Sequence, residues 1–232
     1  MEAGESGPVV LCQSCGTILR AAARFCDNCG HKIAALWATP ISAPAPEMRS
    51  LTVLFADLKG FTAVAGTRDP EDVHEVIRQV FSLMTDCIEQ VDGTVEKYLG
   101  DELMALFGFP VAHEDDAARA IRAALRFQDA VAQYSREVEK EGFPQILAKV
   151  GINTGRVVVA SVGRRERTVY GDAVKVAGRV QAACPPGSVL VAHETYRHVR
   201  GLFEVSPHPP IQVKGRREPL SAYEVQHQKS PH

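Results

Sequence analysis

At 232 residues, with 45% apolar and 23% charged side chains, the chain has enough length and apolar content for one ordinary domain plus a small appendage. A formal net charge of −2 supplies no basic footprint for nucleic acid or an anionic membrane, so neither is expected as a partner. No run reaches the roughly 18 apolar residues of a membrane span, and the acidic start Met-Glu-Ala-Gly-Glu-Ser-Gly lacks the apolar stretch of an export signal, which makes a cytoplasmic protein the expectation.

The first element, residues 1–36, carries four of the six cysteines as Cys12-Gln-Ser-Cys15-Gly16 and Cys26-Asp-Asn-Cys29-Gly30, with ten residues between the pairs. Paired thiolates at that spacing, each pair followed by a glycine that lets the backbone turn around the sulfurs, suit a tetrahedral site for one structural Zn²⁺. Two disulfides or redox pairs are disfavoured in a cytoplasmic chain. The segment resembles a zinc ribbon, too short to fold without its metal. Lacking basic residues interleaved with aromatics beyond Arg20, Arg24 and Phe25, it is expected to be structural or to dock a protein partner. A Pro/Ala linker over 37–48, including Thr39-Pro-Ile-Ser-Ala-Pro-Ala-Pro46, separates it from the rest.

The main domain is expected over 49–227, with a short tail at 228–232. Leu51-Thr-Val-Leu-Phe-Ala56 reads as a buried strand that delivers Asp57 to its exposed end, and Lys59-Gly60-Phe61-Thr62 then turns toward a helix, leaving free N–H groups beside the carboxylate. A helix from about Pro70 to Val91 follows, opened by Asp69-Pro70-Glu71. Then come two short apolar runs over 94–107 joined by Leu99-Gly100-Asp101, a hairpin with Asp101 at its tip and Lys97 four residues before it. If both strands share a sheet, Asp57 and Asp101 converge. Paired carboxylates next to free amides suit two divalent ions about 3.5–4 Å apart for phosphoryl or nucleotidyl transfer.

His113-Glu-Asp-Asp116 opens an Ala-rich helix to about Lys140, its acids complementing the helix dipole rather than binding metal. Strands over 146–153 and 156–161 complete a β-α-β-β-α-β order, a ferredoxin-like α+β core. A helix from Gly171-Asp172 to about Cys184 and short strands at 189–191, 203–205, 211–213 and 221–225 end the chain. Cys87 and Cys184 read as buried free thiols.

Four stretches, Phe55-Ala-Asp57-Leu-Lys-Gly-Phe-Thr62, Lys97-Tyr-Leu-Gly-Asp101, Val150-Gly-Ile-Asn-Thr-Gly155 and Tyr170-Gly-Asp-Ala-Val-Lys-Val-Ala-Gly-Arg179, resemble in order the motifs of class III nucleotidyl (adenylate/guanylate) cyclases. The resemblance implies cyclisation of a nucleoside triphosphate with two Mg²⁺ or Mn²⁺ held by Asp57, Asp101 and the backbone carbonyl of Leu58. Gly60, Phe61 and Thr62 would offer amides to the β- and γ-phosphates, and Lys149 and Lys214 match positions that bind the phosphate tail. Lys97 and Thr168 match the base-reading pair and imply ATP, in a subgroup often stimulated by bicarbonate. Arg179 matches the arginine that stabilises the α-phosphate in the transition state. Where the family usually has an asparagine that orients the ribose, this chain has Lys175. The lysine either substitutes as a clamp, slows turnover, or marks a regulatory domain that binds nucleotide without cyclising it. Because one chain carries both residue sets, the resemblance implies a homodimer with composite sites. A diguanylate cyclase is disfavoured, since the turn reads Leu99-Gly-Asp-Glu-Leu103 rather than Gly-Gly-Asp/Glu-Glu-Phe.

Overall fold

The computed structural model describes residues 10–12, 14–20, 23–32, 46–60, 68–162, 166–212 and 218–230. The expected phosphate-binding residues Phe61, Thr62 and Lys214, and most of the linker, lie outside them. Contacts divide the chain into a unit of 1–46 with 161–166 and a unit of 47–160 with 167–232.

In the first unit, β1 (Val10–Leu11) pairs antiparallel with β2 (Ile18–Leu19). Each Cys-x-x-Cys turn closes through its glycine: Gly16 N–H donates to Cys12 O at 2.8 Å and Gly30 N–H to Cys26 O at 2.9 Å. Both glycines have positive φ, 72° and 69°, where a Cβ would be strained. Cys12, Leu19 and Cys26 form the small core.

The second unit runs β3 (Glu47–Lys59), α1 (Pro70–Glu89), β4 (Thr94–Leu99), β5 (Glu102–Phe107), α2 (Asp116–Glu139), β6 (Leu147–Val162), β7 (Glu166–Tyr170), α3 (Asp172–Ala183), β8 (Val189–Ala192), α4 (His193–Val199), β9 (Phe203–Ile211) and β10 (Leu220–Gln228). The strands form one sheet in the order β4-β5-β3-β6-β8-β10-β9, with β7 pairing β6. β3 through β6 with α1 and α2 give the expected ferredoxin-like order. β3 lies in its interior, between β5 and β6, because Leu51 to Ala56 is apolar or β-branched throughout and is buried at every position, as a strand covered on both faces requires. Leu54, Ala56 and Leu58 face α1 and α2, while Leu51, Val53 and Phe55 face α3.

α1 starts where Asp69 accepts from Glu71 N–H at 3.0 Å with Pro70 in the first turn, and it buries Val73, Val76, Val80, Met84 and Ile88 at helical spacing. The N-terminus of α2 carries Asp116 in its first turn as expected, and the acids there also serve a buried arginine: Arg119 donates to Asp116 at 2.6 Å, Asp92 at 3.1 Å and the Val91 carbonyl at 2.7 Å, tying α2 to the end of α1.

Three details differ from the sequence-based expectation. β6 is one strand rather than two, because β3 pairs alongside it continuously from Lys59↔Leu147 to Glu47↔Val159. His193–Val199 is a helix too short to show periodicity. Pro207, Pro209 and Pro210 lie inside β9 instead of breaking it, because β9 ends the sheet and an edge strand tolerates missing N–H donors. Among the described residues no helix is long and apolar enough to cross a membrane.

Candidate active site

Asp57 stands near the C-terminal end of β3. Its register partners are Glu102 on β5 and Lys149 on β6, so all three side chains leave the sheet on one face. By alternation this is also the face of Phe55, covered by α3. The β4–β5 turn brings Asp101 alongside, since the Leu58 N–H donates to the Asp101 carbonyl at 3.0 Å. Residues 44 positions apart thus meet at one corner of the sheet.

The corner is strongly negative. Burial lifts the Glu102 carboxyl above its ordinary range, Asp57 and Asp101 push it further in the same direction, and Lys59 partly opposes them. The Lys59 ammonium lies 2.7 Å from Asp57 Oδ2. That hydrogen bond, followed by the charges of Asp57, Asp101 and Glu102, raises the Lys59 pKa. Hard carboxylate oxygens are the donor type suited to Mg²⁺ or Mn²⁺, though among the described residues these three acids do not gather their oxygens within 4.8 Å of one another. Gly60 begins the exit from the strand at φ 114°, with its Cα so close to 145 that a Cβ would sit 2.5 Å from the Gln145 carbonyl oxygen.

Lys149 lies opposite Asp57 in the ladder, but its Nζ donates to the Ala182 carbonyl at 3.0 Å, satisfying the C-terminal end of α3 instead of pointing to a phosphate. Lys97 lies opposite Met104, and Met104 packs in the same apolar cluster as Val169, the neighbour of Thr168 on β7. Glu96, beside Lys97, is raised by burial against the lysine's opposing charge. Lys175 and Arg179 are both exposed on α3, one helical turn apart. Gly178 lies between them and Phe55, a Cβ there falling 3.9 Å from the Phe55 ring.

In the first unit, Cys12, Cys15, Cys26 and Cys29 gather their sulfurs within 4.8 Å of one another. Cys12–Cys29 at 3.6 Å and Cys15–Cys26 at 3.5 Å are far longer than the roughly 2.05 Å of a disulfide and near the roughly 3.8 Å edge of a ZnS₄ tetrahedron built on 2.3 Å bonds. The Cys15 thiol is lowered to about 5, chiefly by hydrogen bonding at Thr17. Cys29 is pushed up to about 11: a backbone hydrogen bond at His31 favours its thiolate, but the neighbouring Cys15 sulfur and desolvation outweigh it. Thiols crowded this closely favour a soft divalent ion over one another.

A family model described as the adenylate and guanylate cyclase catalytic domain matches residues 43–227, most of the chain. The chain belongs to this class III cyclase family. Among curated proteins, adenylate cyclase 1 of Rhizobium meliloti is 31% identical over 182 residues, covering 76% of this chain and 27% of the relative. An adenylate cyclase of Anabaena cylindrica is 30% identical over 200 residues, covering 80% and 38%. The chain thus spans well under half the length of these relatives. Of solved structures, the adenylyl cyclase CyaB from P. aeruginosa superposes with a TM-score of 0.76 at 26% identity, covering 79% of this chain and 97% of that one. The guanylyl cyclase Cya2 gives 0.75 at 30% identity, covering 80% and 96%. Similar cyclase domains therefore include both base preferences.

Two residues of the cyclase corner escaped the sequence reading, Lys59 and Glu102. Lys59 was recoverable, because a residue two positions from Asp57 on a strand shares its face. Glu102 needed the β3–β5 register, which no local pattern specifies.

Proposed function

We propose that this chain is an adenylate cyclase that converts ATP to 3′,5′-cyclic AMP and pyrophosphate. The ribose 3′-oxygen forms a new bond to the α-phosphorus, the bond from that phosphorus to the pyrophosphate oxygen breaks, and the 3′-hydroxyl proton passes to solvent. Asp57 and Asp101, with the Leu58 carbonyl, would hold two Mg²⁺ or Mn²⁺, which would supply charge neutralisation and a lowered 3′-hydroxyl pKa. Gly60, Phe61 and Thr62 would offer backbone donors to the β- and γ-phosphates, Lys214 would add charge to the tail, and Lys149 would do so only by releasing the Ala182 carbonyl. Arg179 stabilises charge on the α-phosphate as the transition state forms. Lys97 donates to an adenine ring nitrogen and Thr168 accepts from the exocyclic amine, whereas guanine would call for an acidic residue near Lys97. The active form is a homodimer, and Cys12, Cys15, Cys26 and Cys29 hold one structural Zn²⁺ in a ribbon open to a protein partner.

The observation that carries this reading is the β3–β5 register together with the Leu58–Asp101 hydrogen bond, which unites the two aspartates at one corner. The test is product formation. Purified protein with ATP and Mn²⁺ or Mg²⁺ yields cyclic AMP, at a higher kcat/KM than for GTP to cyclic GMP, and Asp57→Ala lowers the rate by about a thousandfold or more. No product above the Asp57→Ala background with either metal refutes it.

A second reading rests on Lys175, an exposed cation in place of a ribose-orienting amide. In that case the domain binds nucleotide without turnover and acts as a regulatory module. Its signature is wild-type protein that binds ATP yet makes no product, with turnover appearing in Lys175→Asn.

A further inference from the structure

Outside the residues matched to substrate or metal, the most consequential contact in the domain is the ion pair from Lys59 to Asp57. Its geometry is that of a charge-assisted hydrogen bond, 2.7 Å from Nζ to Oδ2. The Asp57 side chain is 14% exposed and that of Lys59 44%, so the carboxylate is largely withdrawn from water while the ammonium reaches it from the solvent side. Asp101 and Glu102 add their fields to the same ammonium. Lys59 is thus paired with Asp57, lies in the field of the other two acids, and occupies one of the two oxygens that Asp57 could offer a metal ion.

Resting on the metal-carboxylate reading above, we propose that Lys59 is a built-in competitor of the divalent cation. Its ammonium holds Asp57 Oδ2 and yields it when a metal ion arrives together with a triphosphate. The physical basis is exchange of partners. A divalent ion entering alone must strip Asp57 of its ammonium and leave that charge without its hydrogen-bonded partner, in a corner whose remaining acids it now shares with a second cation. A metal–triphosphate complex brings anionic oxygens for the displaced ammonium, so the same exchange costs little. The side chain is built for such a move, being a flexible four-carbon stem ending in a point charge. Its backbone is not, because Lys59 pairs with Leu147 and the next residue, Gly60, abuts the Gln145 carbonyl. The consequence is positive coupling between metal and nucleotide, which by linkage must appear equally in the affinity of each. The site would resist loading by free metal and fill when substrate is present.

The test is Mn²⁺ binding to the full-length, Zn²⁺-loaded chain, followed by electron paramagnetic resonance with and without 3′-deoxy-ATP, which cannot cyclise. Lys59→Met, which keeps the length and removes the charge, is expected to tighten Mn²⁺ binding without nucleotide by about tenfold, the scale of one charge-assisted hydrogen bond. It should shrink the enhancement by 3′-deoxy-ATP by a similar factor. Lys59→Arg, which restores a cation, should return both quantities toward wild type. Mn²⁺ binding that requires Asp57 yet is equal in wild type and Lys59→Met overturns the role of Lys59 alone. Mn²⁺ binding that survives Asp57→Ala overturns the metal-carboxylate reading and this inference with it.

Discussion

At the scale of single residues, the corner of the cyclase domain depends on Gly60 as much as on its acids. The chain leaves β3 there with φ 114°, a region open to glycine and strained for any residue with a Cβ. Space is closed as well, because the added carbon would meet the Gln145 carbonyl oxygen at 2.5 Å, and a backbone atom cannot swing aside as a long side chain can. Gly60→Ala should therefore lower stability by about 1–3 kcal/mol, the usual scale of a strained backbone position. Relief of that strain would move the segment that follows Asp57. Turnover should consequently fall further than stability alone explains, by about a hundredfold, since displacement of a positioning group by about 1 Å carries that penalty. Urea unfolding gives the first quantity and kcat for cyclic AMP the second; an Ala variant with unchanged unfolding midpoint and kcat would show that this turn tolerates a side chain.

Among elements, α3 matters most, since it covers the face that carries Asp57 and bears Lys175 and Arg179. Its distance from the sheet is set by Gly151 on β6, where a Cβ would come within 2.1 Å of Gln181 N and 2.4 Å of Gln181 Cα. Ala173 and Ala177 keep the same interface thin. Gly151→Ala should push α3 outward, with an overpacking cost of about 1–3 kcal/mol and a loss of turnover larger than that of a surface change on the same helix, such as Ala182→Ser. Thermal unfolding together with kcat decides this, and a Gly151→Ala enzyme with full kcat would place the charges of α3 outside the reaction.

The sequence made much of this layer visible, for identifiable reasons. The helical period and the Asp69-Pro70 start mark α1, and the Leu-Gly-Asp turn marks the β4–β5 hairpin, because both signals lie within a few residues. Asp57 and Asp101 were legible through motif order. What pattern could not supply was register: the pairing of Asp57 with Glu102 and Lys149, and hence the Lys59 ion pair and the diversion of Lys149 to Ala182, arises only after β3, β5 and β6 align. The buried Arg119 was likewise hidden, since its partners Asp92 and Asp116 come from two helices' ends that the sequence leaves unrelated.

For the whole molecule, the two halves of the proposed site differ in character. The metal half is a recessed acidic corner, whereas the transition-state half, Lys175 and Arg179, is exposed on a helix. Large apolar side chains flank both: Tyr98 and Leu99, beside the Asp101 turn, are 49% and 52% exposed, and Tyr170, at the start of the α3 motif, is 47% exposed. Exposed aromatic and aliphatic residues beside polar machinery mark an interaction surface. If two chains meet there about a twofold axis, each supplies one half of each of two equivalent sites. Asp57→Ala and Arg179→Ala homodimers then lack activity for opposite reasons. In a co-refolded equimolar mixture half the dimers are mixed, and each mixed dimer carries one intact site and one doubly damaged site. Activity per protomer should recover to about a quarter of wild type by this symmetry count, and it should fall on dilution as dimers dissociate. Sites contained within single chains would give no recovery, because no protomer in the mixture has both residues.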